Sequence, residues 1–125
     1  MYKIAFVEDE EDLNSLIKTY LEHEGYEVTS YLNGTDAIKD IDENPDLWIL
    51  DIMLPGDISG YDIIKKIREK NDVVPVIFTS ARDEQLDKII GLELGSDDYI
   101  TKPYSPKELV LRVNNIIKRV YKNDN

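Results

Sequence analysis

Leu47-Trp48-Ile49-Leu50-Asp51-Ile52-Met53-Leu54-Pro55 decides how the rest of the chain is read. A short, unbroken apolar segment suits a strand buried on both faces of a parallel sheet. The run ends at a carboxylate, and Pro55 and Gly56 close it off. In an open α/β sheet, ligands bind outside the carboxyl ends of the strands, which is where Asp51 stands. A lone Asp at a strand end also serves to start a turn, so the case for chemistry at Asp51 rests on the other strand ends.

Those ends follow from the chain on either side. Lys3-Ile4-Ala5-Phe6-Val7 reads as a first buried strand, and it runs into five consecutive acids, Glu8-Asp9-Glu10-Glu11-Asp12. Leu13, Leu16, Ile17, Tyr20 and Leu21 recur at the spacing of an amphipathic helix, with Asp12 or a neighbouring acid as its cap and Gly25 as its stop. Glu27 to Tyr31 is a second strand with weak alternation, placed at a sheet edge. Asn33-Gly34 opens a short helix carrying Ala37, Ile38 and Ile41, which Asn44-Pro45-Asp46 breaks before the Asp51 strand. A third helix carries Ile63, Ile64 and Ile67. Val74-Pro75-Val76-Ile77-Phe78 forms the fourth strand, ending in Thr79-Ser80-Ala81. The spacing of Leu86, Ile89, Ile90 and Leu94 predicts a fourth helix over 83–94, stopped by Gly95. Asp98-Tyr99-Ile100-Thr101 is a fifth strand, followed by Lys102-Pro103. Ser105-Pro106-Lys107-Glu108 reads as a capping box opening a last helix, with Leu109, Val110, Val113, Ile116, Ile117 and Val120 as its stripe.

Five strands alternating with five helices through short connections imply parallel pairing with right-handed crossovers. The expected fold is a flavodoxin-like doubly wound (βα)5 three-layer α/β sandwich with strand order 2-1-3-4-5. That order sets the acidic run beside Asp51.

Bulk properties narrow the function. A chain of 125 residues is one domain with a real core. Its formal charge of −11 argues against unaided binding to nucleic acid or anionic membrane and favours a cation or a basic partner. The absence of Cys excludes disulfides, thiolate zinc sites and Cys nucleophiles. No signal peptide or long apolar span is seen, so the expected location is cytoplasmic.

On this fold Glu8, Asp9 and Asp51 share one pocket. Clustered carboxylates repel one another, and a divalent cation relieves that repulsion. Mg2+ takes oxygen ligands of this kind, commonly carboxylates with waters and phosphate oxygens. Glu10, Glu11 and Asp12 read instead as a solvated helix start matched to the dipole. The fourth strand end adds Thr79 and Ser80, and the fifth adds Lys102, a point-charge phosphate binder. A carboxylate nucleophile, a metal site, a hydroxyl and a cation make a phosphoryl-transfer constellation, where catalysis is mostly positioning and charge neutralisation. Taken alone, Lys102 also reads as a salt bridge to the excess acids.

Four motifs in order, Val7-Glu8-Asp9-Glu10, Leu50-Asp51-Ile52-Met53-Leu54-Pro55, Thr79-Ser80-Ala81-Arg82 and Lys102-Pro103-Tyr104, resemble those of two-component response-regulator receiver domains and cover the whole chain. The resemblance implies that Asp51 accepts a phosphoryl group from the phosphohistidine of a sensor histidine kinase. It implies that Glu8, Asp9, Asp51 and the backbone carbonyl of Met53 hold Mg2+ (or Mn2+ in its place), and that Lys102 contacts the phosphoryl group. The switch hydroxyl of the family precedes a small residue, which assigns it to Ser80 rather than Thr79. Tyr99 matches the switch aromatic. The loop Pro55-Gly56-Asp57-Ile58-Ser59-Gly60 is one residue longer than is usual in the family.

The segment from Gly91 to Tyr99 further resembles the OmpR/PhoB subfamily, whose members dimerise through the fourth helix, fifth strand and fifth helix. That likeness pairs Lys88 with Glu108 and Asp98 with Arg112 across a two-fold axis, with Asp97 and Lys118 nearby. It implies a receiver over residues 1–121, a tail over 122–125, and DNA contact only through a separate output domain. A receiver cut from a longer protein is expected in preference to a stand-alone one. His23 reads as a surface residue, and Trp48 and Tyr61 as packing. An aspartyl-nucleophile phosphatase commonly needs a second Asp where this chain has Met53. A flavin or nucleotide module needs a phosphate-cradling loop where this chain has Glu8-Asp9-Glu10. A receiver-shaped module that is never phosphorylated is disfavoured by the intact set Asp9, Asp51 and Lys102.

Overall fold

A computed structural model describes residues 1–81 and 85–122, with the backbone alone at 85 and 86. Arg82 of the third motif, the start of the fourth helix at 83 and the Leu86 side chain lie outside the described residues. The element order is β1 (Lys3–Val7), α1 (Glu11–His23), β2 (Glu27–Tyr31), α2 (Gly34–Lys39), a 3-10 turn (Ile41–Glu43), β3 (Leu47–Asp51), α3 (Gly60–Lys70), β4 (Val76–Ser80), α4 (Gln85–Glu93), β5 (Asp98–Thr101) and α5 (Pro106–Tyr121). All pairings are parallel, in the order β2-β1-β3-β4-β5, so the expected doubly wound fold stands. No helix among the described residues is long and apolar enough to cross a membrane.

The sheet is buried on both sides, and successive residues alternate between two cores. Ile4, Phe6, Leu47, Ile49, Ile77 and Ile100 pack toward α1 and α5 with Ile17, Leu21, Leu109, Val113 and Ile117. Ala5, Val7, Trp48, Leu50, Val76 and Phe78 pack toward the opposite helices with Ala37, Ile63, Ile64 and Ile67. Gly25, at φ +98, and Gly95, at φ +89, take the left-handed conformation that ends α1 and α4.

Four local expectations are corrected. On α1, Leu16 and Tyr20 are exposed, and the buried face is Asn14, Ile17 and Leu21. The helix is rolled toward Asn14 because that amide has backbone acceptors to reach: its Nδ2 donates to the carbonyls of Glu8 and Tyr31, at 2.9 and 3.1 Å. No acid caps α1 with its side chain; Glu10 holds the cap position without such a bond. The capping box is not at α5, where the Ser105 hydroxyl accepts only from Lys107 N and Glu108 turns to Arg112 instead. It opens α3, where Ser59 and Asp62 bond reciprocally. Val120 is also exposed, as the last turn of α5 outruns the core.

Candidate functional site

The alternation that fills the two cores also sorts the polar residues at the carboxyl end of the sheet. Continuing the parity of Ile4 and Phe6, Leu47 and Ile49, Ile77, and Ile100 sends Glu8, Asp51, Thr79 and Lys102 toward the α1/α5 face. Thr79 is the direct register partner of Asp51. Ser80 falls with Phe78 on the opposite face, where Tyr99, register partner of Phe78, also packs. Both hydroxyl residues are fully buried.

Glu8, Asp9 and Asp51 bring carboxylate oxygens to within 4.8 Å of one another. Glu8 and Asp51 are buried and Asp9 is exposed, so the cluster has a wall and an open side. Lys102 reaches in from the end of β5, its Nζ 2.6 Å from Glu8 Oε1 and 2.8 Å from Asp51 Oδ2. The second oxygens are held by backbone donors: Glu10 N to Glu8 Oε2 at 3.0 Å, and Met53 N to Asp51 Oδ1 at 3.1 Å. The Met53 side chain itself is exposed. Burial raises the carboxyl pKa of both Glu8 and Asp51, and the bonds from Lys102 only partly offset it. Burial alone would lower the Lys102 ammonium, but its bonds to Asp51 and Glu8 prevail and hold it protonated. Three oxygen donors, two of them poorly hydrated carboxylates, fit a hard divalent cation; the ammonium now supplies the positive charge such an ion would bring.

The loop leading away from Asp51 is fixed close to it. Gly60 N donates to Ile52 O at 3.1 Å, and a Cβ built on Gly60 would run into the Asp51 carbonyl. Ile58 packs against Gly34 and joins the core on that side. Asn14, which sequence reasoning passed over, ties the Glu8 carbonyl to β2; its i, i+3, i+7 spacing with Ile17 and Leu21 was the available signal.

On the α4-β5-α5 side, Lys88 Nζ lies 6.0 Å from the centre of the Tyr99 ring. Arg112 holds Asp98 through two bonds of 3.0 and 2.9 Å and Glu108 through two more, all within one chain. Asp97 turns inward: its Oδ2 accepts from Val76 N at 2.8 Å and lies 3.8 Å from Arg68. Lys118 and His23 are exposed, Trp48 is core, and Tyr61 packs edge-on to Phe78.

The chain as a whole has close relatives among known proteins. The sequence family described as the response regulator receiver domain matches residues 4–114. The transcriptional regulatory protein CssR of Bacillus subtilis is 54% identical over 97% of this chain and 53% of its own length. The response regulator SaeR of Staphylococcus aureus is 42% identical over 98% of this chain and 53% of its own. The chain thus spans about half the length of the curated relatives it matches. Among solved structures, the receiver domain of a Francisella response regulator superposes with a TM-score of 0.87 at 38% identity, covering 95% of this chain and 98% of that one. The BeF3-activated DrrB receiver domain gives 0.88 at 34%, covering 95% and 99%; DrrB is described as a Thermotoga maritima OmpR/PhoB homologue. With the fold, the strand-end cluster and these matches in agreement, the chain belongs to the response-regulator receiver domain family.

Proposed function

We propose that this chain is a phosphorylation-driven switch in which Asp51 accepts a phosphoryl group from a sensor histidine kinase. The observation that carries the reading is the shared ammonium: Lys102 bridges Glu8 and Asp51 at 2.6 and 2.8 Å beside the exposed Asp9. In the reaction an Asp51 carboxylate oxygen bonds to phosphorus as the donor's bond to phosphorus breaks, and the donor leaves with that electron pair. Glu8, Asp9, Asp51 and the Met53 carbonyl would hold Mg2+, which when bound neutralises phosphoryl oxygens. Lys102 turns from the carboxylates to the incoming oxygens and so offsets the added charge. The group changes state once per signal rather than turning over a substrate.

The phosphoryl group carries roughly −1.5 to −2 where the carboxylate carried one charge. Ser80, at the end of β4, supplies the hydroxyl that turns toward it. That movement vacates space on the face it shares with Tyr99, and the ring follows. The ligand shifts a pre-existing equilibrium by binding one state better. The α4-β5-α5 surface then favours a homodimer, with Asp98–Arg112 and Lys88–Glu108 contacts exchanged across the two-fold axis and Asp97 and Lys118 nearby. Each exposed pair contributes about 0–1 kcal/mol, so assembly without phosphoryl is weak. Control of transcription runs through a separate output domain, in the cytoplasm. Thr79 is the competing switch hydroxyl, because it shares Asp51's face and register.

Incubation with Mg2+ and acetyl phosphate tests the central claim. Intact mass rises by one phosphoryl, and Asp51→Asn abolishes the gain; no uptake by the wild type refutes the reading. Separate Ser80→Ala and Thr79→Ala variants assign the switch. Ser80→Ala is expected to uncouple phosphoryl uptake from dimerisation, and the opposite result transfers the role to Thr79.

A further inference from the structure

The chain leaves β1 through a junction that one side chain on α1 closes. Glu8, the first residue past the strand, donates its N–H to the carbonyl of Tyr31, the last residue of β2, at 3.0 Å. The Glu8 carbonyl accepts from Asn14 Nδ2 at 2.9 Å, and the same nitrogen donates to the Tyr31 carbonyl at 3.1 Å. One step on, Glu10 N donates to Glu8 Oε2 at 3.0 Å. The Glu10 carbonyl in turn accepts from Asn14 N at 2.8 Å, in the first turn of α1. Asn14 therefore holds the segment from Glu8 to Glu10 at both ends, one with its side chain and the other with its backbone.

A primary amide nitrogen carries two N–H groups, and here both go to carbonyls outside the helix. Ile17 and Leu21 fill the rest of the buried face of α1. The amide differs from them in what it can hold, not in how it packs. What it holds is the segment that carries two of the three clustered carboxylates. Asp9 is exposed, so the backbone on either side, and not packing, sets where its carboxylate stands. Mg2+ demands near-ideal octahedral geometry, and the groups behind its ligands tune affinity by keeping those ligands in place.

We propose that Asn14 is a positioning residue for the divalent cation: its amide presets the Glu8–Asp9 segment against Asp51, so that the ion meets carboxylates already in place. Asn14 is not itself a ligand, and it acts through the Glu8 backbone. Without the amide, the Glu8 and Tyr31 carbonyls lose a shared donor, and the segment takes up positions in which Glu8 and Asp9 no longer converge on Asp51. Ion binding then has to gather its own ligands, and affinity falls by the cost of ordering them. The inference rests on the reading of Glu8, Asp9 and Asp51 as a Mg2+ site and adds to it a residue from α1.

Asn14→Leu removes both donors and keeps a side chain of similar length. Titration calorimetry with Mg2+ should give it a dissociation constant roughly ten-fold above that of the wild type, the low end of what removing a group behind a metal ligand costs. Asn14→Ala, which leaves room for a water to bridge the two carbonyls, should show a smaller rise and carries the test if Asn14→Leu does not fold. Ile17→Ala, on the same buried face, cuts packing and keeps the amide. It should lose stability to urea and retain the wild-type dissociation constant. Phosphorylation by acetyl phosphate should be slow in Asn14→Leu at the Mg2+ concentration that saturates the wild type, and recover at about ten times that concentration. An equal rise in Ile17→Ala overturns the proposal, because it marks a general loosening of α1. So does a rate that stays low at every Mg2+ concentration. If the wild type binds no Mg2+, the metal reading falls and this inference with it. If the wild type binds Mg2+ and the folded Asn14 variants bind it equally well, only the role of Asn14 falls.

Discussion

Replacing Lys102 with Met keeps the length of the stem and removes the charge that Glu8 and Asp51 share. At 2.6 and 2.8 Å, and with an effective dielectric of about 20, each contact is worth about 6 kcal/mol before desolvation is subtracted. The loss cannot reach that sum, because the carboxylates have another way out. Protonating one of them at pH 7, from an ordinary Glu value near 4.3, costs only about 3.7 kcal/mol. The expected destabilisation in Mg2+-free buffer is therefore about 3 kcal/mol, at the low end for a broken buried pair. Urea unfolding measures it, and with a slope of about 2 kcal/mol/M the midpoint falls by roughly 1.5 M. Magnesium supplies the opposing arm. With no ammonium to displace, the variant should bind Mg2+ more tightly than the wild type. At about a hundred times its dissociation constant the ion returns about 2.7 kcal/mol, most of what was lost. An unchanged midpoint without Mg2+, or a larger Mg2+ stabilisation in the wild type than in Lys102→Met, refutes the picture of one positive charge holding two buried carboxylates.

Other perturbations follow from the same geometry. Asp51→Asn should stabilise the Mg2+-free protein in a pH-dependent way. Burial raises the Asp51 pKa above its unfolded value, so the folded state holds the proton more tightly. That contribution is full below the ordinary carboxylate range and is lost as pH climbs through the raised value; the advantage of Asn should be absent near pH 4, grow with pH and then level off. Urea midpoints across that range would contradict this if the wild type were the more stable protein at pH 7. Gly60→Ala drives a methyl group into the Asp51 carbonyl, backbone that cannot yield without moving the end of β3, and should cost about 1–3 kcal/mol, read as a lower melting temperature together with slower phosphorylation. Asn14→Leu leaves the buried Glu8 carbonyl without its side-chain donor and should cost about 1–3 kcal/mol in chemical denaturation, although Leu is the more apolar residue.

The strands were legible because each is a short apolar run buried on both faces, and two-sided burial leaves a continuous signature. The residues that follow Val7, Leu50, Phe78 and Thr101 were legible for the same reason: polar chemistry directly after such a run has to lie at the rim of the sheet. Helix faces were less legible. The pattern of α1 gave a stripe through Leu13, Leu16 and Tyr20, while the helix buries Asn14, whose amide donates to two backbone carbonyls 6 and 17 residues away. Periodicity records apolar spacing and is silent about such long-range bonds. The same silence hid the inward turn of Asp97 to Val76 N and Arg68, and the capping box at Ser59, whose N3 residue is Asp rather than the usual Glu or Gln.

What the sequence could not order was the two sides of the sheet, and that ordering bears on how a signal would cross it. Glu8, Asp51, Thr79 and Lys102 continue the parity of one core; Ser80 and Tyr99 continue the parity of the other. The carboxylate chemistry and the aromatic proposed to report it are thus separated by the thickness of a sheet of well-packed strands, which does not deform smoothly. β4 is the strand that presents a hydroxyl to each side at successive residues, and it lies between β3, which carries Asp51, and β5, which carries Tyr99. A small displacement at the end of β4 therefore moves Thr79 relative to Asp51 and Ser80 relative to Tyr99 together. On the proposed reading this explains why a hydroxyl pair, rather than a single residue, occupies that end. It also predicts that Ser80→Ala and Thr79→Ala will differ in kind: the first severing the response of Tyr99, the second changing the site itself.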